Sequence, residues 1–148
     1  MTELHDEAPN GMGVVNVAFA GTGIVAATSL AAALLPEAFG IVHAVVSCLL
    51  FAIGTGALLW AYALGVARSR EDAVTISGLF FLAGGVAPDD VRRPLRVALA
   101  IEVVAVVVAA AIRPYSEVAF GILAPMYGLG LMAMWGGRHG SFAPKVVA

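Results

Sequence analysis

Four stretches of this sequence are long and apolar enough to cross a lipid bilayer, and they restrict its fold more than any other feature. A helix needs about 20 mostly apolar residues to span a hydrocarbon core about 30 Å thick. Gly13–Leu35 supplies 23 residues and Ile41–Ala67 supplies 27, neither with a formal charge, and Val118–Gly137 supplies 20, also uncharged. Leu95–Ile112, with 18, carries Arg96 near its start and Glu102 inside. Of the 148 residues, 61% are hydrophobic and 12% charged, against about 25% charged in soluble domains. A water-soluble fold of this size leaves too much surface exposed to hide so many apolar side chains. The expected fold is an all-α membrane protein: one integral domain over 1–148, a bundle of four transmembrane helices.

A fifth apolar run, 73–87, has only 15 residues and contains Gly78, Gly84 and Gly85 before Pro88. Fifteen helical residues rise about 22 Å, short of the hydrocarbon thickness, and glycine weakens a helix interior. The run is expected to lie in the interface or dip back toward it, within a loop over 68–94. Loops rich in Lys and Arg stay on the cytoplasmic side, and this separates four spans from five. Four spans put Arg68, Arg70, Arg92, Arg93, Arg96, Arg138 and Lys145 on one side with Arg113 alone opposite; five spans divide the same residues five to three. The larger asymmetry favours four, with both termini cytoplasmic in a bacterial inner membrane. Trp60, Tyr62 and Trp135 then fall near cytoplasmic span ends, where aromatic side chains anchor.

The first stretch has Ala31, Ala32 and Ala33 in the manner of a signal-peptide cleavage site. Its approach is acidic (Glu3, Asp6, Glu7) and its apolar run exceeds the 7–15 residues of a signal core. It is read as a retained membrane helix.

Charge and cysteine content exclude several functions. A net charge of −2 without a basic cluster argues against nucleic acid. Cys48 is the sole cysteine, so neither a disulfide nor a CxxC redox pair is available. His5 and His139 fall in the tails, which leaves His43, at the outer end of the second span, without a second imidazole for haem or metal. No cofactor, metal or catalytic set is expected. Gly21-Thr-Gly23-Ile-Val-Ala26 matches a dinucleotide-binding glycine pattern, but that pattern needs a βαβ unit around it.

Close helix packing is the better reading of these glycines, because small residues four apart share a helix face that lets backbones approach in lipid. Gly23, Ala27 and Ala31 form such a trio in the first span, and Ala57, Ala61 and Gly65 form one in the second. Glu102 is the most informative single residue, since a charge deep in a span costs at least ~2.5 kcal/mol. It is expected to face the bundle interior as a neutral acid hydrogen-bonded to a Thr, Ser or Tyr; the functional alternative is a proton or cation site. Arg68, Arg70, Arg92 and Arg93 flank the 73–87 run and are candidate contacts for anionic lipid. Pro125 is expected to bend the last span.

From the Arg68-Ser-Arg70 run the chain continues through Ser77-Gly-Leu-Phe-Phe-Leu-Ala-Gly-Gly, Val91-Arg-Arg, Arg113-Pro, Phe120-Gly-Ile-Leu-Ala-Pro-Met-Tyr-Gly-Leu-Gly-Leu and Trp135-Gly-Gly-Arg-His-Gly-Ser-Phe-Ala-Pro. This half, residues 68–144, resembles small uncharacterised multi-pass membrane proteins of actinobacteria. The resemblance implies a membrane fold and carries over no activity, and Glu102 is not among its signatures. Abundant packing surface without a catalytic constellation points to a non-enzymatic accessory or scaffolding component of a cell-envelope system, partnered by the lipid bilayer and by another membrane protein or itself. The alternative is a small oligomeric transporter or channel with Glu102 as its coupling site.

The charge asymmetry predicts the accessibility of single cysteines placed at Glu37, Arg70 and Ser116 in a Cys48→Ala background. In intact cells an impermeant thiol reagent labels positions 37 and 116 and spares 70; the reverse pattern contradicts the orientation.

Overall fold

The computed structural model describes residues 11–146. Helices α1 (Met12–Leu34), α2 (Pro36–Arg68), α3 (Ile76–Phe81) and α4 (Asp89–Ile112) are followed by a 3-10 helix at Glu117–Leu123 and by α5 (Met126–His139). Among the described residues 79% are helical and none forms a strand. Four units are long and apolar enough to cross a membrane: α1, α2, α4, and the 3-10 helix with α5 as the fourth. The fold is the expected all-α four-helix membrane bundle.

Proline sets the turns at one end. Leu35 alone separates α1 from α2, so the loop expected at 36–40 is instead the first turn of α2. Pro36 disfavours helical geometry in the residue before it, and Leu35 adopts φ −129° and ψ 67°. Pro36 itself opens α2, where a missing N–H costs no hydrogen bond. Arg113, before Pro114, stops α4 with nearly the same angles, φ −129° and ψ 62°. Its Nε donates to Ala33 O at 3.4 Å, tying this turn to the end of α1.

The opposite end is closed by the 73–87 run. Thr75 accepts from Gly78 N–H and starts α3, which ends after one and a half turns where Leu82 adopts φ 52°. Leu79, Leu82, Val86 and Ala87 are buried against the bundle while Phe81 is exposed. Arg96 donates twice to Phe81 O, at 3.1 and 2.7 Å. The segment folds over the end of the bundle and does not span. Helix α4 reaches back through Pro94 to Asp89, six residues before the expected start at Leu95; Asp89 and Asp90 in its first turn suit the positive end of the helix dipole. The tail pairs with the same loop, Ala73 N–H donating to Ala143 O and Lys145 N–H to Glu71 O, each at 2.8 Å.

The fourth unit is the most buried of the four and contacts α1, α2 and α4. Its approach to α2 is backbone on backbone: a Cβ built on Gly54 collides with Met126 O and Tyr127 N, and one on Gly130 collides with Gly54 O. Ala61 and Gly65 are buried and Ala57 half-buried on the same face of α2, against α5 and Leu79. The first-span trio lies elsewhere. Gly23 and Ala27 are exposed and Ala31 half-buried, while Val15, Ala18, Thr22, Val25, Ser29 and Ala32 form the buried row of α1. Helix α1 is apolar nearly all round, so its sequence lacks the polar stripe that marks an outer face in water.

Gly54→Ala and Gly130→Ala should each force the two backbones apart and destabilise the bundle by about 1–3 kcal/mol. Gly23→Ala and Gly56→Ala, whose added methyls meet nothing within 4 Å, should be neutral or mildly stabilising. Thermal unfolding in mild detergent reads the difference, and equal melting of Gly54→Ala and Gly23→Ala would contradict the close contact.

Candidate functional site

Helix α4 alternates between lipid and bundle, and Leu95, Ala98, Glu102, Val106 and Ala109 form its buried row. That periodicity carries Glu102 to the interior, where it has no exposed surface. Two elements meet its carboxyl. Thr22 of α1 places Oγ1 at 2.9 Å from Oε1, and Gly128 of α5 donates its N–H to Oε2 at 3.2 Å.

The Gly128 bond follows from the break in the fourth unit. Glu117–Leu123 is wound as a 3-10 helix, Pro125 has no N–H to give, and α5 begins afresh at Met126. The first N–H groups of a helix have no partner within it. Tyr127 N–H and Leu129 N–H find Ala124 O and Pro125 O; Gly128 N–H finds the carboxyl of Glu102. An acid on one span thus caps a break in another, and the bend expected at Pro125 is a change of helix type with an external cap. Glycine at 128 is required by proximity, since a Cβ there would lie 2.6 Å from Oε2.

One hydroxyl hydrogen lies between two acceptors. Thr22 has one hydroxyl hydrogen, yet Oγ1 lies 2.9 Å from both Ala18 O and Glu102 Oε1. With Glu102 as a neutral acid, Thr22 donates to Ala18 O and Glu102 donates from Oε1 to Thr22; with Glu102 ionised, Thr22 donates to Oε1. Oε2 then accepts from Gly128, and every group has its partner. Tyr127 closes the cluster: its ring occupies the space a side chain at Gly21 would fill, and its hydroxyl donates to Val17 O at 2.8 Å. The Gly21–Ala26 pattern therefore lies inside a membrane helix, with Gly21 and Thr22 used for packing and hydrogen bonding.

His43 departs from its expected place. It is fully buried, not at an interface with headgroups or water. Its Nδ1 lies 3.1 Å from Thr28 Oγ1, whose own hydrogen goes to Ile24 O at 2.8 Å. The other nitrogen, Nε2, faces the bare backbone of Gly121 and has no hydrogen-bond partner among the described residues. The row Gly40, His43, Ser47, Leu50, Gly54, Ala61 and Gly65 is the buried face of α2, and its heptad-like spacing is the sequence signal that places His43 inside.

The remaining candidate residues are not gathered with Glu102. Arg68 pairs with Asp72, and Arg92 and Arg93 both pair with Asp89, while Arg70 is exposed. Cys48 is exposed on α2. His5 lies outside the described residues. No group of three or more His, Cys, Asp or Glu side chains that could hold a metal occurs among the described residues. A groove of about 270 Å³ between α1 and α4 is lined by Ser29 and apolar side chains, and neither Glu102 nor His43 lines it. These features define a four-span membrane bundle with a sequestered polar cluster. The chain matches no protein-family model, no curated protein and no solved structure.

Gln in place of Glu102 reproduces both bonds, its amide N–H₂ donating to Thr22 and its oxygen accepting from Gly128. Glu102→Gln should therefore unfold within a few tenths of a kcal/mol of the wild type. Glu102→Leu strands Gly128 N–H in an apolar interior and should cost about 1–3 kcal/mol. Thermal melts in mild detergent decide it, and a Leu variant as stable as the wild type would refute the cap.

Proposed function

We propose that the protein is a non-enzymatic, multi-pass component of a bacterial cytoplasmic membrane that serves as an accessory or scaffolding subunit of a cell-envelope system. The observation that carries this reading is that Glu102, buried in the middle of α4, is consumed by bonds that hold three helices together. An acid committed to packing has no free oxygen to offer a substrate. Long apolar faces remain on the outside of the bundle, among them Ile41, Val45, Leu49 and Ile53 on α2 and Val97, Ile101, Val104 and Val108 on α4. Such faces suit lipid and the helices of a membrane partner. The distribution of positive charge favours the cytoplasm for the end carrying Arg68, Arg92, Arg93 and Arg138.

The second reading, a small oligomeric transporter or channel coupled through Glu102, draws on His43. With that imidazole buried, the interior holds an acid and an imidazole, and proton relays in membranes are built from chains of such groups.

Purification in mild detergent followed by reconstitution separates the two. An accessory subunit retains a foreign membrane protein through size exclusion, and Glu102→Gln keeps it. A homo-oligomer whose proton-coupled flux in vesicles is abolished by Glu102→Gln would overturn the accessory role.

A further inference from the structure

Of the arginines that flank the 73–87 run, Arg68 pairs with Asp72 and Arg92 and Arg93 share Asp89, while Arg70 is exposed at the loop; a different arginine stands beside an apolar wall. At the basic end of the bundle, α2 and α5 flank a groove of about 720 Å³ lined by Trp60, Leu64, Arg68, Arg138 and His139. Its two walls differ in chemistry. Trp60, 61% exposed, and Leu64 give an apolar wall along α2. Arg138 and His139 are exposed in the last turn of α5 and form a cationic rim. Arg138 has no carboxylate within salt-bridge distance among the described residues. Arg68 at the base is held in place by Asp72, by Gly137 O at 3.3 Å and by the Phe142 ring at 5.1 Å. Two of its five N–H donors are hydrogen-bonded, to Asp72 and to Gly137 O, which leaves three.

The geometry points to a binding site for one anionic glycerophospholipid in the α2–α5 groove, with Arg138 on the phosphate and Trp60 and Leu64 along the upper acyl chains. The amphiphilic lining selects the occupant. A free phosphate uses the cationic rim alone and gains nothing from the apolar wall, and a zwitterionic lipid carries an ammonium that offsets the attraction to Arg138. A bilayer also places phosphate and acyl chain in this order from the membrane end inward, matching Arg138 and His139 toward the end of the bundle and Trp60 deeper along α2. Tryptophan favours that headgroup boundary. A basic residue near anionic lipid contributes roughly fivefold in affinity.

The full chain reconstituted in vesicles reports the site through quenching of Trp60 by brominated acyl chains, with Trp60→Phe used to subtract the signal of Trp135. Brominated phosphatidylglycerol, diluted in phosphatidylcholine, should quench Trp60 several-fold more strongly than brominated phosphatidylcholine at the same mole fraction. Arg138→Gln should abolish that preference, and Arg138→Lys should keep most of it. Arg92→Gln, which alters an arginine already paired with Asp89, should leave it unchanged. Inorganic phosphate at tens of millimolar should not remove it. Equal quenching by the two lipids, a preference that survives Arg138→Gln, equal losses in the Arg138 and Arg92 variants, or displacement by free phosphate would each overturn the assignment.

Discussion

Backbone hydrogen bonds cannot be left open in lipid, and the bond from Gly128 N–H to Glu102 is where this chain meets that constraint. No water reaches the bilayer core, so each unsatisfied backbone group there costs several kcal/mol. The fourth unit is interrupted at Ala124 and Pro125, and an interruption frees N–H groups that must find partners nearby. One is supplied by a side chain from α4, whose own position is fixed through Thr22 of α1. Three of the four membrane-crossing units are thus joined at one carboxyl. The costly residue and the costly break offset each other, which explains why neither occurs alone.

Glycine makes that geometry reachable. Gly128 admits the carboxyl, Gly121 admits the His43 ring, and Gly54 and Gly130 let α2 and α5 touch along their backbones. Without a hydrophobic drive between helices in lipid, close contact and hydrogen bonding are what remain to hold a bundle together. The glycine-rich fourth unit, poor as an isolated helix, is the one that gains most from being surrounded, and it is the most buried. Exposed Ile, Leu and Val on α1, α2 and α4 meet lipid as readily as they would meet a core, so burial alone does not distinguish inside from outside in this protein.

That same indifference decides what the sequence reveals. Span number and helical class follow from segment length and charge. Glu102 is legible because an acid in a span must face inward, and Ala61 and Gly65 because their spacing continues a face that runs from Gly40. Gly23, Ala27 and Ala31 share the spacing but not the place: α1 offers small residues on several faces, and only contact with Tyr127 and Glu102 selects the row through Gly21 and Thr22. A span that begins at Ile41 predicts an interfacial His43. Helix α2 begins at Pro36, which carries the imidazole about 10 Å along the axis into the bundle. The capping of Gly128 is tertiary information, invisible until the break and the acid are brought to the same level.

The central claim is that Glu102 is a neutral acid that donates to Thr22 and accepts from Gly128. Infrared spectroscopy of the protein in lipid tests it most directly, through the difference between the wild type and Glu102→Gln at neutral pH. The account predicts that the wild type contributes the carbonyl stretch of a protonated, hydrogen-bonded carboxylic acid, and that Thr22→Val moves this band as its acceptor is lost. A carboxylate pair of bands in its place, or an acid band untouched by Thr22→Val, would contradict it.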